Sequence, residues 1–217
     1  MKKYFLTFGL LLTVGMATVV FNSCSKDKDD KNETKKEATD TGVVINGVKW
    51  ATRNVAAPGT FATKAEDTGM FYQWNRKVAW AATGSTITGW DATIPEGDTW
   101  AKSNDPSPTG WRVPTLEEIK KLFDADKVTN EWTTVNGVNG KKFTDKGSGN
   151  FLFLPATGGR EYRFGVLGLA GSYCNYWSST VYSSNGNPYY LGAGSNSAGR
   201  WLDDDRRHGF CVRSVAE

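Results

Sequence analysis

Cys174, Cys211, His208 and the run Asp203-Asp204-Asp205 are the side chains of this sequence best equipped for chemistry, and all lie C-terminal to residue 173. A thiol pair can bridge or do redox work, a histidine can act as a general base, and carboxylates are hard ligands for calcium. His208 is the one histidine of the chain, so any Ser/His/Asp arrangement has to use it. It stands in DDDRRHGF, a charged stretch in which a solvated side chain is expected rather than a general base. No His/Cys/Glu spacing suits zinc, and most catalytic zinc sites need a second histidine. Three consecutive aspartates cannot all point at one ion, and next to Arg206 and Arg207 they read as a solvated acidic turn. No metal site and no cofactor are expected.

The compartment decides what the thiols meet. Lys2 and Lys3 precede an apolar run from Tyr4 to Phe21, followed by Asn22-Ser23-Cys24. This is the pattern of a secretion signal over residues 1–23, and a cysteine directly after small or polar residues resembles the lipobox of bacterial lipoproteins. Cleavage would leave Cys24 as the lipidated first residue, anchoring the chain without spanning the membrane. Residues 24–42 read as a tether, because SKDKDDKNETKKEATD (25–40) has no large apolar side chain to offset the entropy of ordering. Asp27, Asp29 and Asp30 look like the export signal that places Bacteroidota lipoproteins on the outer face of the cell, so an outer-membrane, surface-exposed lipoprotein is expected. In such a protein Cys174 and Cys211 are either bridged or simply unlinked, and the sequence leaves both open. The net charge of +3 includes the two lysines of the signal, and no Lys/Arg stripe offers a nucleic-acid footprint. The membrane is reached only through the lipid anchor.

Residues 43–217 are the right length for one domain with a full core. Asn46-Gly47, between the apolar-rich segments of VVINGVKW, predicts a tight hairpin. EDTGMFYQWNRKVAWAA (66–82) predicts a short strand running into a helical or irregular segment, and 83–110 a long connection packed by Trp90 and Trp100. Thr115 with Glu118 is a capping box, so a helix starts at Leu116 with Leu116, Ile119, Leu122 and Phe123 on its buried stripe. EWTTVNG, GKKFTD, NFLFLPA, NYWSST and GFCVRSV predict strands, with Phe151 to Leu154 buried on both faces and Phe210 and Val212 pointing opposite to Cys211 and Arg213. One or two helices against a largely antiparallel sheet make an α+β domain.

GVKWATRNV, GMFYQWN, DPSPTGWRVPTLEEI, FLPATGGR, NYWSST and GFCVRSVAE occur in the order found in the Fibrobacter succinogenes major paralogous domain family of secreted bacterial lipoproteins, which the chain resembles over nearly all of 43–217. The resemblance implies a C-type-lectin-like fold, related to the formylglycine-generating enzymes, in which the final strand closes the sheet beside the first. The enzyme branch oxidises its substrate with active-site cysteines, and with Cys24 spent on lipid only Cys174 and Cys211 remain, so no enzyme is expected here. Lectins of this fold bind sugars through calcium, yet the Glu-Pro-Asn type of sugar motif is absent.

From Tyr162 to Ala216 there is no Lys and no Glu, and Tyr, Ser, Asn, Gly, Asp and Arg dominate. That composition is similar to an antibody paratope, in which Tyr gives contact area at low entropic cost and Ser, Gly and Asn give adaptable hydrogen bonds. It also resembles the variable segment of retroelement-diversified lectin-fold proteins, where adenines of Asn codons are rewritten to give Tyr, Cys, Ser, Asp, His, Arg or Gly, but not Lys, Glu or Trp. Tyr173, Cys174, Asn175, Tyr190, Gly192, Gly194, Asp203, Asp204, Asp205, Arg206 and His208 belong to the reachable set. Trp177, Phe210 and Val212 would be fixed scaffold, and Trp201, which rewriting cannot produce, would be scaffold as well. The expectation is a non-catalytic ligand-binding face with Tyr173, Tyr182, Tyr189 and Tyr190 as anchors and Asp203 to His208, Arg207 included, supplying charge. Its ligand is an unidentified protein or a glycan; a glycan-binding module with stacking rings or calcium is the alternative reading, and a formylglycine-generating type of enzyme the third.

Overall fold

The first described residues are already part of the fold. The computed structural model describes residues 39–197 and 199–217; the signal, Cys24 and the tether up to residue 38 lie outside the described residues. Asp40, within the stretch expected as tether, is buried and accepts hydrogen bonds from the backbone N–H groups of Gly42, Thr52 and Arg53. Burial pushes its carboxyl up, but these donors outweigh that and hold it below the ordinary carboxylate range.

Strands β1 (Val43–Ile45) and β2 (Val48–Trp50) form the expected hairpin, with Asn46 at φ 46° and Gly47 at φ 75°. Strand β3 (Phe71–Gln73) does not run into a helix. Asn75 turns the chain in the left-handed region, at φ 55°, and β4 (Ala79–Trp80) returns antiparallel to β3. The long connection that follows is fastened by its tryptophans: Trp90 Nε1 donates to the Tyr162 carbonyl and Trp100 Nε1 to that of Asn104. After β5 (Trp111–Arg112) comes helix α1 (Leu116–Lys121). The capping box is complete, Glu118 N–H donating to Thr115 Oγ1 and Thr115 N–H to Glu118 Oε2, and Arg112 grips the same carboxylate with both guanidinium arms. Leu116, Ile119 and Leu122 are buried. Among the described residues no helix is long and apolar enough to cross a membrane.

Strands β6 (Val128–Val135), β7 (Val138–Asp145) and β8 (Phe151–Pro155) form a meander. Leu152, Phe153 and Leu154 are buried as expected, but Phe151, at the strand end, is exposed beneath the Lys142 ammonium. Asp145, ending β7, accepts hydrogen bonds from Asn46 N–H, from Ser148 N–H and Oγ–H, and from Gly147 N–H, which bring its carboxyl down to about 2. It ties the turn of the first hairpin to the meander. A depressed carboxylate gives stability that is complete above its unfolded value near 3.8 and fades as pH falls toward about 2. Thermal melts between those limits should therefore show a shallower loss with acid for Asp145→Asn than for the native chain; parallel curves would remove Asp145 from this role.

The remainder is strand: β9 (Gly159–Arg160), β10 (Leu167–Gly168), β11 (Tyr173–Val181), β12 (Pro188–Gly194), β13 (Arg200–Asp203), β14 (Gly209–Phe210) and β15 (Val215–Ala216). The sheets run β1-β2-β15-β5, β10-β9-β14-β3-β4, β11-β12-β13 and β6-β7-β8, and every pairing between these strands is antiparallel. Strand β15 thus lies beside the first hairpin, and the described residues form a mainly antiparallel α+β domain with one α-helix among them.

Candidate functional site

Strand alternation sorts the C-terminal residues into two faces. On β11, Cys174 and Tyr176 point inward and, with Leu191 and Ala193 of β12, join the main core. Tyr173, Asn175 and Trp177 point the other way, opposite Gly194, Gly192 and Tyr190 respectively, and β13 continues that face with Arg200 and Leu202. Trp201 pairs with Leu191 and sits on the helix side, edge-on to Phe123 and under the Lys120 ammonium. The glycines accommodate the rings beside them. A methyl group at Gly194 would sit 2.8 Å from Cζ of Tyr173, and one at Gly192 3.1 Å from Cε2 of Tyr190.

At one end of this face lies a cleft of about 240 Å³ between the sheet, the 159–169 segment and the 204–210 loop. It brings together Tyr173, Asn175, Tyr190, Asp204 and His208, residues singled out in the sequence from three separate stretches. Phe210 closes it below, packed 4.4 Å from the buried Trp177 ring and 4.8 Å from Tyr190. His208 is not the solvated side chain expected: it is 18% exposed, stacked at 11° on Phe210 and edge-on to Tyr162. Apolar ring faces there give the imidazole more contact than water would. Asp204 Oδ1 lies 3.2 Å from His208 Nδ1 and accepts the Asp205 N–H. Burial, and then the Asp204 and Asp203 carboxylates, push the Tyr190 hydroxyl up to about 12.

Several expected contact residues fall elsewhere. Cys174 is wholly buried, because a strand turns successive side chains to opposite faces and its neighbours Tyr173 and Asn175 take the outer one. Asn175 reaches the cleft but is itself mostly buried, its Nδ2 donating to the Gly158 carbonyl. Tyr182 and Tyr189 pack on each other at 5.6 Å and do not line the cleft. The acidic run is not one solvated turn: Asp203 accepts from Asn185, Asp204 faces His208, and Asp205 is gripped by both arms of Arg207, which hold its carboxyl low. Arg206 makes no ion pair with it; its guanidinium donates to the carbonyls of Gly186, Pro95 and Gly97 and lies over the Trp74 ring. Among the described residues no three His, Cys, Asp or Glu side chains converge as metal ligands.

The thiols are unbridged. Cys174 Sγ donates to the Leu154 carbonyl and Cys211 Sγ to that of Thr68, and burial pushes both up to about 12. Against an ordinary thiol that leaves roughly a thousandth of the thiolate at neutral pH. Iodoacetamide should leave both intact in the native protein over hours and alkylate both within minutes in guanidinium chloride; rapid native labelling of either would contradict this burial.

The sequence reading missed the third wall. Val166 and Leu169, from RFGVLGLAG, line the cleft; both are exposed, and Leu169 is in the left-handed region at φ 60°, uncommon for a bulky residue. The density of large apolar residues between glycines was the available signal. Arg160 sets this wall. Its fully buried guanidinium donates to the carbonyls of Ala81, Thr83, Gly84 and Gly165. Compared with known proteins, the chain matches no protein-family model, no curated protein and no solved structure.

Proposed function

We propose that this protein is a lipid-anchored, surface-exposed lipoprotein whose C-type-lectin-like domain binds a ligand by contact, without catalysis, through the outer face of β11–β13 and the adjoining cleft. What supports the reading is the sorting of side chains. Tyr173, Asn175, Tyr190, Gly192 and Gly194, all products open to a rewritten Asn codon, share one face of the strands, whose inner end is the fully buried Trp177 packed on Phe210, and Trp201 lies on the helix side. Exposed tyrosine over glycine gives contact area that side-chain changes can reshape without touching the core. The buried thiols, with their raised proton affinity, are poor nucleophiles for an oxidase of the formylglycine-generating kind.

The test is deep sequencing of this gene across a population of the source cells. Substitutions should crowd at the first two bases, the adenine positions of an Asn codon, in the codons for 173, 175, 190, 192 and 194. The codons for Trp177, Trp201, Phe210 and, because it faces inward, Cys174 should stay constant. Variation spread evenly over the gene would sink the diversified-face reading.

A further inference from the structure

The cleft has a recognisable chemistry. Its rings do not form an open platform on which a sugar could stack, since Phe210 is only 5% exposed and Tyr190 is half-buried; they line a pit with the exposed Tyr173 at its rim. Asp204 reaches into the same space, and among the described residues no lysine or arginine pairs with it, whereas its neighbour Asp205 is taken by Arg207. Asp204 Oδ1 accepts the Asp205 N–H and faces the imidazole of His208 at 3.2 Å. Val166 and Leu169 give the cleft an apolar margin beside Glu161, and Arg160, which also lines it, has its guanidinium spent on the carbonyls of Ala81, Thr83, Gly84 and Gly165. Aromatic faces present negative quadrupole potential and a carboxylate adds full charge, so the bottom attracts a cation while the apolar margin suits a hydrocarbon stem.

We propose that this cleft takes the cationic side chain of a protein ligand, an arginine or a lysine, its stem along Val166 and Leu169 and its charged head against Asp204 and the faces of Tyr190 and Phe210. The volume of about 240 Å³ holds one such side chain and little more. The inference rests on the contact-face reading above and narrows its ligand to a basic protein surface.

Saturation-transfer NMR on the full chain in detergent tests it with three probes: N-acetylarginine amide, its neutral isostere N-acetylcitrulline amide, and methyl glucoside. The arginine probe should bind in the millimolar range, about tenfold tighter than the citrulline one. It should weaken about tenfold in Asp204→Asn, whose amide oxygen can still accept the Asp205 N–H, and several-fold as salt rises from about 50 to about 500 mM. Tyr173→Ala, at the exposed rim, should weaken it without loss of fold. Equal binding of arginine and citrulline would overturn the charge argument and leave the contact face standing. Binding of the glucoside alone, lost in Tyr173→Ala, would replace the basic partner with a glycan. Binding of no probe would overturn both this inference and the assignment of the cleft to ligand contact.

Discussion

Trp177→Ala is expected to remove about 3–5 kcal/mol of folding stability and, with it, the shape of the cleft. The indole is fully buried, and its Nε1 donates to the Tyr72 carbonyl at 2.7 Å. Its ring supports Phe210 at 4.4 Å and Tyr190 at 6.2 Å. Deletion leaves a cavity that the surrounding strands fill only in part, strands an acceptor, and frees two rings that shape the cleft. Trp177→Phe should retain the ring contacts and cost about 1–2 kcal/mol for the lost hydrogen bond and the smaller ring. Tyr173→Ala, at 39% exposure, should stay within about 0.5 kcal/mol of the native chain. Urea denaturation of the three variants separates scaffold from display: if Trp177→Ala melted like Tyr173→Ala, Trp177 would not be the support described here.

The second large effect belongs to Arg160. Burial pulls its guanidinium below the ordinary arginine range, and its partners are backbone carbonyls rather than a carboxylate. Arg160→Met keeps much of the volume but leaves the carbonyls of Ala81, Thr83, Gly84 and Gly165 without their donor. The expected cost is about 3 kcal/mol or more, since hydrogen bonds to charged groups carry about 1.5–3 kcal/mol each. Arg160→Lys should recover only part of it, because an ammonium cannot span the fork that reaches two separate loops. Hydrogen exchange in the 81–84 and 161–169 segments should quicken before the core does. If stability fell with no selective change in those segments, Arg160 would be a core residue and not the organiser of the cleft wall.

What could be read from the residues alone follows the range of the interactions. The Asn46-Gly47 hairpin and the Thr115/Glu118 cap are legible because both partners stand within four residues of each other. The outward set on β11 was misread, for Cys174 was grouped with Tyr173 and Asn175 although period-2 alternation separates it from them without any knowledge of the fold. His208 was not legible, since its burial comes from the Phe210 and Tyr162 rings. Arg206 and Arg160 were misjudged or overlooked for one reason: their acceptors are main-chain carbonyls of distant loops, and a carbonyl leaves no mark on residue type. Of the helical or irregular segment expected after the strand at 71–73 the irregular alternative holds, since Asn75 takes a left-handed turn that, without a glycine beside it, composition does not announce.

The position of β15 has a consequence for how the chain is made. Val215 pairs with both Trp50 and Arg112, and the Ala51 N–H donates to the Ser214 carbonyl, so a strand far along the chain joins the first hairpin to the middle of the protein. The sheet β1-β2-β15-β5 cannot close before β15 is in place, and a pairing of such long range forms slowly. A stop codon anywhere in the 173–208 stretch deletes this strand, so that β2 and β5 are each left with an unpaired edge.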